Sequence, residues 1–251
     1  MRTFKTFDYI FITGVTGCGK STLLQEILDT CGDVELLQKY TTRPMRDNEK
    51  SIQKKRMEYQ FINEDDVIHL KNMLELSIVN TYNTANGPYV YAFPKYNKPR
   101  EDITYIQVLG AGDITSIMEQ GEFPENSLLI NITVNEKSVL EKLFARKDDD
   151  ESLRRYNSDC LEYGIMRESR EEDPFWTKVS EFFTKERKSN YVEVSNVMYF
   201  MTPKQIVFEL KSMFTVPYMD LNHMRIIKHN PTGLPMLQTD VNKNHKHITT
   251  K

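Results

Sequence analysis

The apolar positions of this chain follow two rhythms, one strand-like and one helical, and their alternation predicts an α/β fold. Residues 7–13 (FDYIFIT) form a short apolar run rich in aromatic and β-branched side chains, which predicts a buried strand. Leu23, Leu24, Ile27 and Leu28 recur at helical spacing, so a helix with one inward face follows. Residues 34–37 predict a second short strand, and from about 40 to 55 the chain is polar and charged, as in a solvated or ligand-facing loop. Residues 57–62 (MEYQFI) alternate as a strand does. Asn63, with Asp66 three residues on, caps a helix running through Met73. Strand patterns over 76–82 and 89–93, joined by a turn-like 83–87, complete a β-rich stretch that interrupts the βα alternation.

The alternation resumes beyond Pro94 and Pro99, with a strand over 103–109, a turn at 110–112, a helix over 113–120 and a strand over 127–134. Asn135 is placed to cap a helix whose Val139, Leu140, Leu143 and Phe144 line one face. Residues 146–151 (RKDDDE) lack any apolar side chain and precede a charged helix reaching about 172. Pro174 starts another helix, 191–194 is a last strand, and Thr202-Pro203 opens a helix with Ile206, Val207, Leu210, Met213 and Phe214 inward. Past 215 no period survives, which predicts a flexible or loosely docked tail over 215–251. Its histidines, His223, His229, His245 and His247, are irregularly spaced and read as solvated, not metal-binding.

Composition adds bounds. With 251 residues, 27% charged and 39% apolar, the chain is expected to be a soluble globular protein. A formal net charge of −3 gives no basic field for nucleic acid or an anionic membrane. Three scattered cysteines without metal-ligand spacing suit a reducing compartment, and no apolar run is long enough to span a bilayer. The first strand begins too early to leave room for a signal peptide, so a cytoplasmic location is expected.

The chemistry concentrates first in Gly14, Val15, Thr16, Gly17, Cys18, Gly19, Lys20, Ser21 and Thr22. This stretch fits the phosphate-loop pattern Gly-x-x-x-x-Gly-Lys-Ser/Thr and sits between a predicted strand and a predicted helix. Glycines let the backbone wrap phosphate oxygens, and the helix N-terminus offers free N–H groups and a positive dipole. Lys20 would reach the β- and γ-phosphates, and the Ser21 hydroxyl would ligate Mg²⁺ brought with ATP. A second cluster, Thr41-Thr42-Arg43-Pro-Met-Arg46 followed by Glu49, places two guanidinium forks and hydroxyls where a dianionic phosphate could sit.

Together these clusters resemble the guanylate kinase family, whose loop is followed by Thr-Thr-Arg-x-x-Arg-x-x-Glu. Glu58-Tyr59-Gln60-Phe61 is similar to the family's Asp-Tyr-x-Phe strand, and Gly87-Pro88-Tyr89-Val90-Tyr91 to its second tyrosine turn, with Tyr91 better placed than Tyr89. Leu143-Phe144-Ala145-Arg146, then Leu153-Arg154-Arg155, resembles the arginine-bearing lid, and Ser195-Asn196 falls where the family holds adenine. The similarity spans about residues 7–214. It implies a P-loop three-layer fold: a parallel-sheet core (1–37 and 101–214), a small β-rich acceptor-binding insertion (38–100), and a helical lid near 146–172. The implied activity is ATP-dependent phosphorylation of a nucleoside or deoxynucleoside monophosphate by a monomer or homodimer. Thr42, Arg43, Arg46, Tyr59, Asn80 and Tyr91 would bind the acceptor, and Lys20, Arg146, Arg154 and Arg155 would neutralise the transferring phosphoryl group.

The departures from the family fall on the acceptor base. The family reads guanine with a serine before Thr-Thr-Arg, a glutamate in the insertion, an aspartate on the following strand and a serine past the second tyrosine. This chain has Lys39 or Tyr40, Asn80 or a near neighbour, Gln107 and Leu109, and Ala92 and Phe93. A neutral amide offers a different donor–acceptor pattern from a carboxylate, which predicts a base other than guanine. Absent acids on 103–109 also leave the metal to Ser21 and the nucleotide. A kinase of a ribose bisphosphate would show a shorter arginine motif. A non-catalytic binding module of this fold would typically have lost Lys20.

Overall fold

The computed structural model describes residues 7–47, 49–84, 87–97, 100–120, 123–124, 126–134, 139–140, 143–144, 149–162, 190–196, 203–215, 224–227 and 236–239. Among the described residues a seven-stranded sheet runs in the order Met236–Thr239, Met224–Ile227, Asn190–Asn196, Ser127–Val134, Tyr9–Thr13, Thr104–Val108, Val34–Leu36, and a separate four-stranded sheet in the order Tyr59–Phe61, Lys39–Thr41, Gly87–Pro94, Leu76–Thr84. In the large sheet β1 (Tyr9–Thr13) is central, with β7 (Thr104–Val108) and β8 (Ser127–Val134) parallel on either side. Beyond them lie β2 (Val34–Leu36) and β9 (Asn190–Asn196), also parallel to their neighbours. The end of β1 is therefore a point from which the chain departs to strands on both sides, where open α/β sheets bind ligands.

Period-two side-chain alternation sorts β1 between two cores. Ile10 and Ile12 pack with Leu24 and Ile27 of α1 (Lys20–Thr30) and with Ile206, Val207 and Leu210 of a C-terminal helix, Pro203–Thr215. Tyr9 and Phe11 point the other way, onto Ile114 and Ile117 of a helix at Ala111–Glu119, and onto Ile78 and Phe93 of the small sheet. Burial on both faces explains why β1 reads as an unbroken apolar run. It also means that the small sheet shares a core with the large one.

The small sheet draws all its strands from residues 39–94: β3 (Lys39–Thr41), β4 (Tyr59–Phe61), β5 (Leu76–Thr84) and β6 (Gly87–Pro94). Helix α2 (Glu64–Asn72) begins with a complete capping box: Asn63 Oδ1 accepts the Asp66 N–H at 2.8 Å, and Asp66 accepts the Asn63 N–H at 3.3 Å. The helix at Ala111–Glu119 is α3, starting two residues before the predicted point because Gly110 caps it. Helix α4 spans Asp149–Glu162, and Pro203–Thr215 is α5.

One expectation is corrected: Tyr40 and Thr41, expected at the start of a solvated or ligand-facing loop, belong to β3, where Lys39 and Thr41 are buried. In the stretch expected to be a flexible or loosely docked tail lie β10 (Met224–Ile227), parallel to β9, and β11 (Met236–Thr239), antiparallel to β10. β10 satisfies the backbone edge of β9, and segments of four residues are too short to show a period. Val139 and Leu143 are buried as predicted, whereas Phe144 is exposed. The helix predicted from Pro174 lies outside the described residues. Among the described residues no helix is long and apolar enough to cross a membrane.

Candidate active site

The phosphate loop leaves the end of β1 through three glycines at positive φ: Gly14 (137°), Gly17 (85°) and Gly19 (102°). At Gly14 the requirement is also steric, since a Cβ would lie 2.5 Å from the Ile132 carbonyl oxygen and 2.8 Å from Cys18 Sγ. Val15 and Cys18 are buried under the loop, and burial pushes the Cys18 thiol pKa up. Ser21 and Thr22 are exposed in the first turn of α1. Lys20 Nζ donates to the loop's own carbonyls, at 2.6 Å to Gly14 and 2.9 Å to Val15. The Thr16 N–H donates to Asp159 Oδ2 of α4 at 2.5 Å, so one loop amide already holds an anionic oxygen.

Of the predicted lid arginines, Arg154 is exposed on α4, Arg155 lies on the same helix, and Arg146 is outside the described residues. Asn196 is the last residue of β9, aligned with Val134 at the end of β8.

The second cluster is assembled by the small sheet. Arg43 is 5% exposed and makes a two-pronged ion pair with Glu49, Nη1 to Oε2 at 2.8 Å and Nη2 to Oε1 at 2.5 Å. Burial works against the Arg43 charge, and Glu49 overrides it, holding the guanidinium above its ordinary pKa. Glu49 Oε2 also accepts the Arg46 N–H at 2.8 Å, closing the loop on itself. The Thr42 hydroxyl accepts the Val90 N–H at 2.9 Å and locks the loop to β6. Tyr59 packs edge-on against Tyr91, Tyr82 does likewise from β5, and Arg43 stacks 5.0 Å from the Tyr59 ring centroid. The structure thus gathers Arg43, Tyr59 and Tyr91 in one place.

Beside them lies a cleft of about 360 Å³ lined by Asn80, Thr81, Tyr82, Ala111, Gly112, Thr115 and Ser116. Behind its wall runs a chain of polar contacts that the sequence did not reveal. Lys39 Nζ pairs with Asp113 Oδ2 at 3.3 Å. Asp113 Oδ1 accepts the Tyr82 hydroxyl at 3.1 Å, and Asp113 Oδ2 the Gly110 N–H at 2.9 Å. Because Tyr82 gives its proton to Asp113, its oxygen can only accept from Asn80 Nδ2, 3.4 Å away. Asn80 Nδ2 also reaches Ser116 Oγ at 3.1 Å. The amide is therefore oriented with its carbonyl oxygen left over as an acceptor.

A further polar contact joins α1 to the residue before β4: the Ser21 hydroxyl donates to Glu58 Oε1 at 2.6 Å, and Glu58 immediately precedes Tyr59.

A guanylate kinase of Helicobacter hepaticus (strain ATCC 51449 / 3B1) is 30% identical over 147 residues, spanning 56% of this chain and 68% of that protein. The chain belongs to the guanylate kinase family. The crystal structure of guanylate kinase from Anaplasma phagocytophilum shares the fold, with a TM-score of 0.52 at 12% identity over 86% of this chain and 89% of that one. An α/β P-loop fold is thereby shown. The family model for the viral superfamily 1 RNA helicase core domain matches residues 10–78, a stretch that includes β1, the phosphate loop and α1.

Compared with the guanylate kinase pattern, this chain places Gln107 and Leu109 where acids are expected, and both are committed elsewhere. Gln107 is 1% exposed, donates to the Leu37 carbonyl at 3.1 Å and accepts from the Tyr96 hydroxyl at 2.9 Å. Leu109 is wholly buried in the core beneath the small sheet. Tyr82, Asp113 and Asp159 are not singled out by the sequence, and Lys39 and Glu58 are named there only as motif positions, without these contacts; Tyr82 shares a strand face with Asn80 two residues away.

Proposed function

We propose that this chain transfers the γ-phosphoryl group of ATP to a nucleoside or deoxynucleoside monophosphate, and that guanine is not its preferred acceptor base. The observation that carries this reading is the Ser21–Glu58 contact, because it sets the triphosphate loop against the strand bearing Tyr59. A triphosphate-type loop joined through this contact to the strand that carries Tyr59 of the second cluster suits in-line transfer between two bound phosphates. Lys20 would exchange its loop carbonyls for the β- and γ-phosphates, and the loop amides would donate to phosphate oxygens in place of Asp159. Arg43, Arg46, Thr42, Tyr59 and Tyr91 would hold the acceptor phosphate. Arg146, Arg154 and Arg155 would bring positive charge to the transferring group, and Asn196 would border the adenine.

The donor set suits Mg²⁺, since Ser21 presents an exposed hydroxyl beside a carboxylate and the nucleotide brings phosphate oxygens. Held through the Ser21 hydroxyl, the ion would supply positive charge against that developing on the phosphates. The base cleft is lined by an amide and hydroxyls, with no carboxylate among its lining residues. Guanine offers two adjacent N–H donors that a carboxylate matches and a single amide carbonyl does not. Free Cys18, Cys31 and Cys160 support a reducing, cytoplasmic setting.

ADP release measured across all ribo- and deoxyribonucleoside monophosphates tests this reading, with Lys20→Ala as the inactive control. Turnover with at least one acceptor other than GMP or dGMP is expected. No turnover with any acceptor would favour a non-catalytic binding module, and a wide preference for GMP and dGMP would refute the altered base.

A further inference from the structure

We propose that Glu58 is a positioning residue for the metal of the bound nucleotide, replacing the strand acids that this chain lacks. The inference rests on the ATP-binding reading above. In phosphate-loop enzymes the loop serine ligates Mg²⁺ and an acid on a neighbouring strand completes the site. Here that strand, β7, carries Gln107 and is followed by Leu109, the first locked by two hydrogen bonds and the second buried in the core. Neither offers an anionic oxygen.

The other acids near the site are engaged. Asp113 is held by Lys39, Tyr82 and the Gly110 N–H, and Asp159 contacts a loop amide, the Thr16 N–H, not the hydroxyl that would ligate the metal. Glu58 is different in kind, because its partner is the metal-ligating hydroxyl itself, Ser21 Oγ at 2.6 Å. A serine that hands its proton to a carboxylate keeps its oxygen lone pairs for a cation. The carboxylate behind it fixes that orientation and adds negative charge, as outer-shell partners of metal ligands do. Among the described residues no group of three or more His, Cys, Asp or Glu could hold a metal. That suits Mg²⁺, which is commonly held by one or two carboxylates with substrate phosphates and waters.

Glu58 also belongs to the acceptor sheet, where its carbonyl oxygen accepts the Lys39 N–H at 2.9 Å. The metal site is therefore complete only while that sheet lies against the phosphate loop.

The test compares ADP affinity with Mn²⁺ and in EDTA, for the full chain and for Glu58→Gln, with bound Mn²⁺ followed by electron paramagnetic resonance. Glu58→Gln is expected to weaken Mn²⁺-dependent ADP binding by about tenfold, in line with outer-shell substitutions at metal sites, while affinity in EDTA stays unchanged. An unchanged ratio of the two affinities would overturn the proposal, as would an equal loss in both, which marks a merely structural role. If the unaltered chain binds ADP under neither condition, the ATP reading fails and this inference falls with it. If it binds under both and only the Glu58 effect is missing, the ATP reading stands alone.

Discussion

Replacing Asp113 by Asn would leave Lys39 charged, buried and without its anion. The Lys39 side chain is 4% exposed and that of Asp113 12%. The other groups facing the ammonium are the Tyr59 ring and hydroxyl, the Phe93 ring and, electrostatically, Glu58. Burial by itself would drive the Lys39 pKa down, yet Tyr59, Asp113 and Glu58 together hold it above its ordinary value. Breaking one side of a buried pair costs about 3–5 kcal/mol. For a chain of this size each kcal/mol moves the melting temperature by about 2–4 °C, so Asp113→Asn should melt on the order of 10 °C lower. The double variant Lys39→Met, Asp113→Asn removes both charges and should recover most of that loss.

The sign of the pH dependence follows. With its folded pKa raised, Lys39 contributes stability that is full below its unfolded value near ~10.4 and is lost only above it. Stability of the unaltered protein therefore carries no Lys39-linked slope between about pH 6 and about pH 9. In Asp113→Asn the burial of the ammonium is less opposed, so stability should rise with pH across that range. Calorimetric melts of the three proteins at several pH values read both effects. A single variant within about 1 kcal/mol of the unaltered protein, or a double variant no more stable than the single one, would refute the ion-pair account.

Gly14→Ala should cost at least about 2 kcal/mol, since its φ of 137° is strained for any side chain and the Cβ would collide with the Ile132 carbonyl. Gly32→Ala, whose Cβ meets nothing within 4 Å, is the control in the same thermal melt. Asn80→Asp puts a carboxylate into the cleft proposed to take the base and should raise kcat/KM for GMP relative to the other monophosphates by about tenfold, measured by ADP release.

The sequence by itself determined the parts whose chemistry is contiguous. The glycines, Lys20 and Ser21 of the phosphate loop, the Thr41–Arg46 run and the capping box at Asn63 each work within a few residues. Strand and helix periods are local too, which is why the βα alternation and the interrupting β-rich stretch were legible. The tertiary structure decided everything that depends on a partner far along the chain. Lys39 meets Asp113 across 74 positions, Ser21 meets Glu58 across 37, and Thr16 meets Asp159 across 143. Lys39 carries no local signal of burial, because the carboxylate that lets it be buried is supplied by the fold. The edge of β9 likewise supplied the backbone partners that made strands of short segments in the tail. The orientation of the Asn80 amide has the same origin, since it is set by Asp113 through Tyr82. Which hydrogen-bonding face the cleft at Asn80 presents is thus a property of the fold, because a neutral amide can turn either way until its neighbours decide.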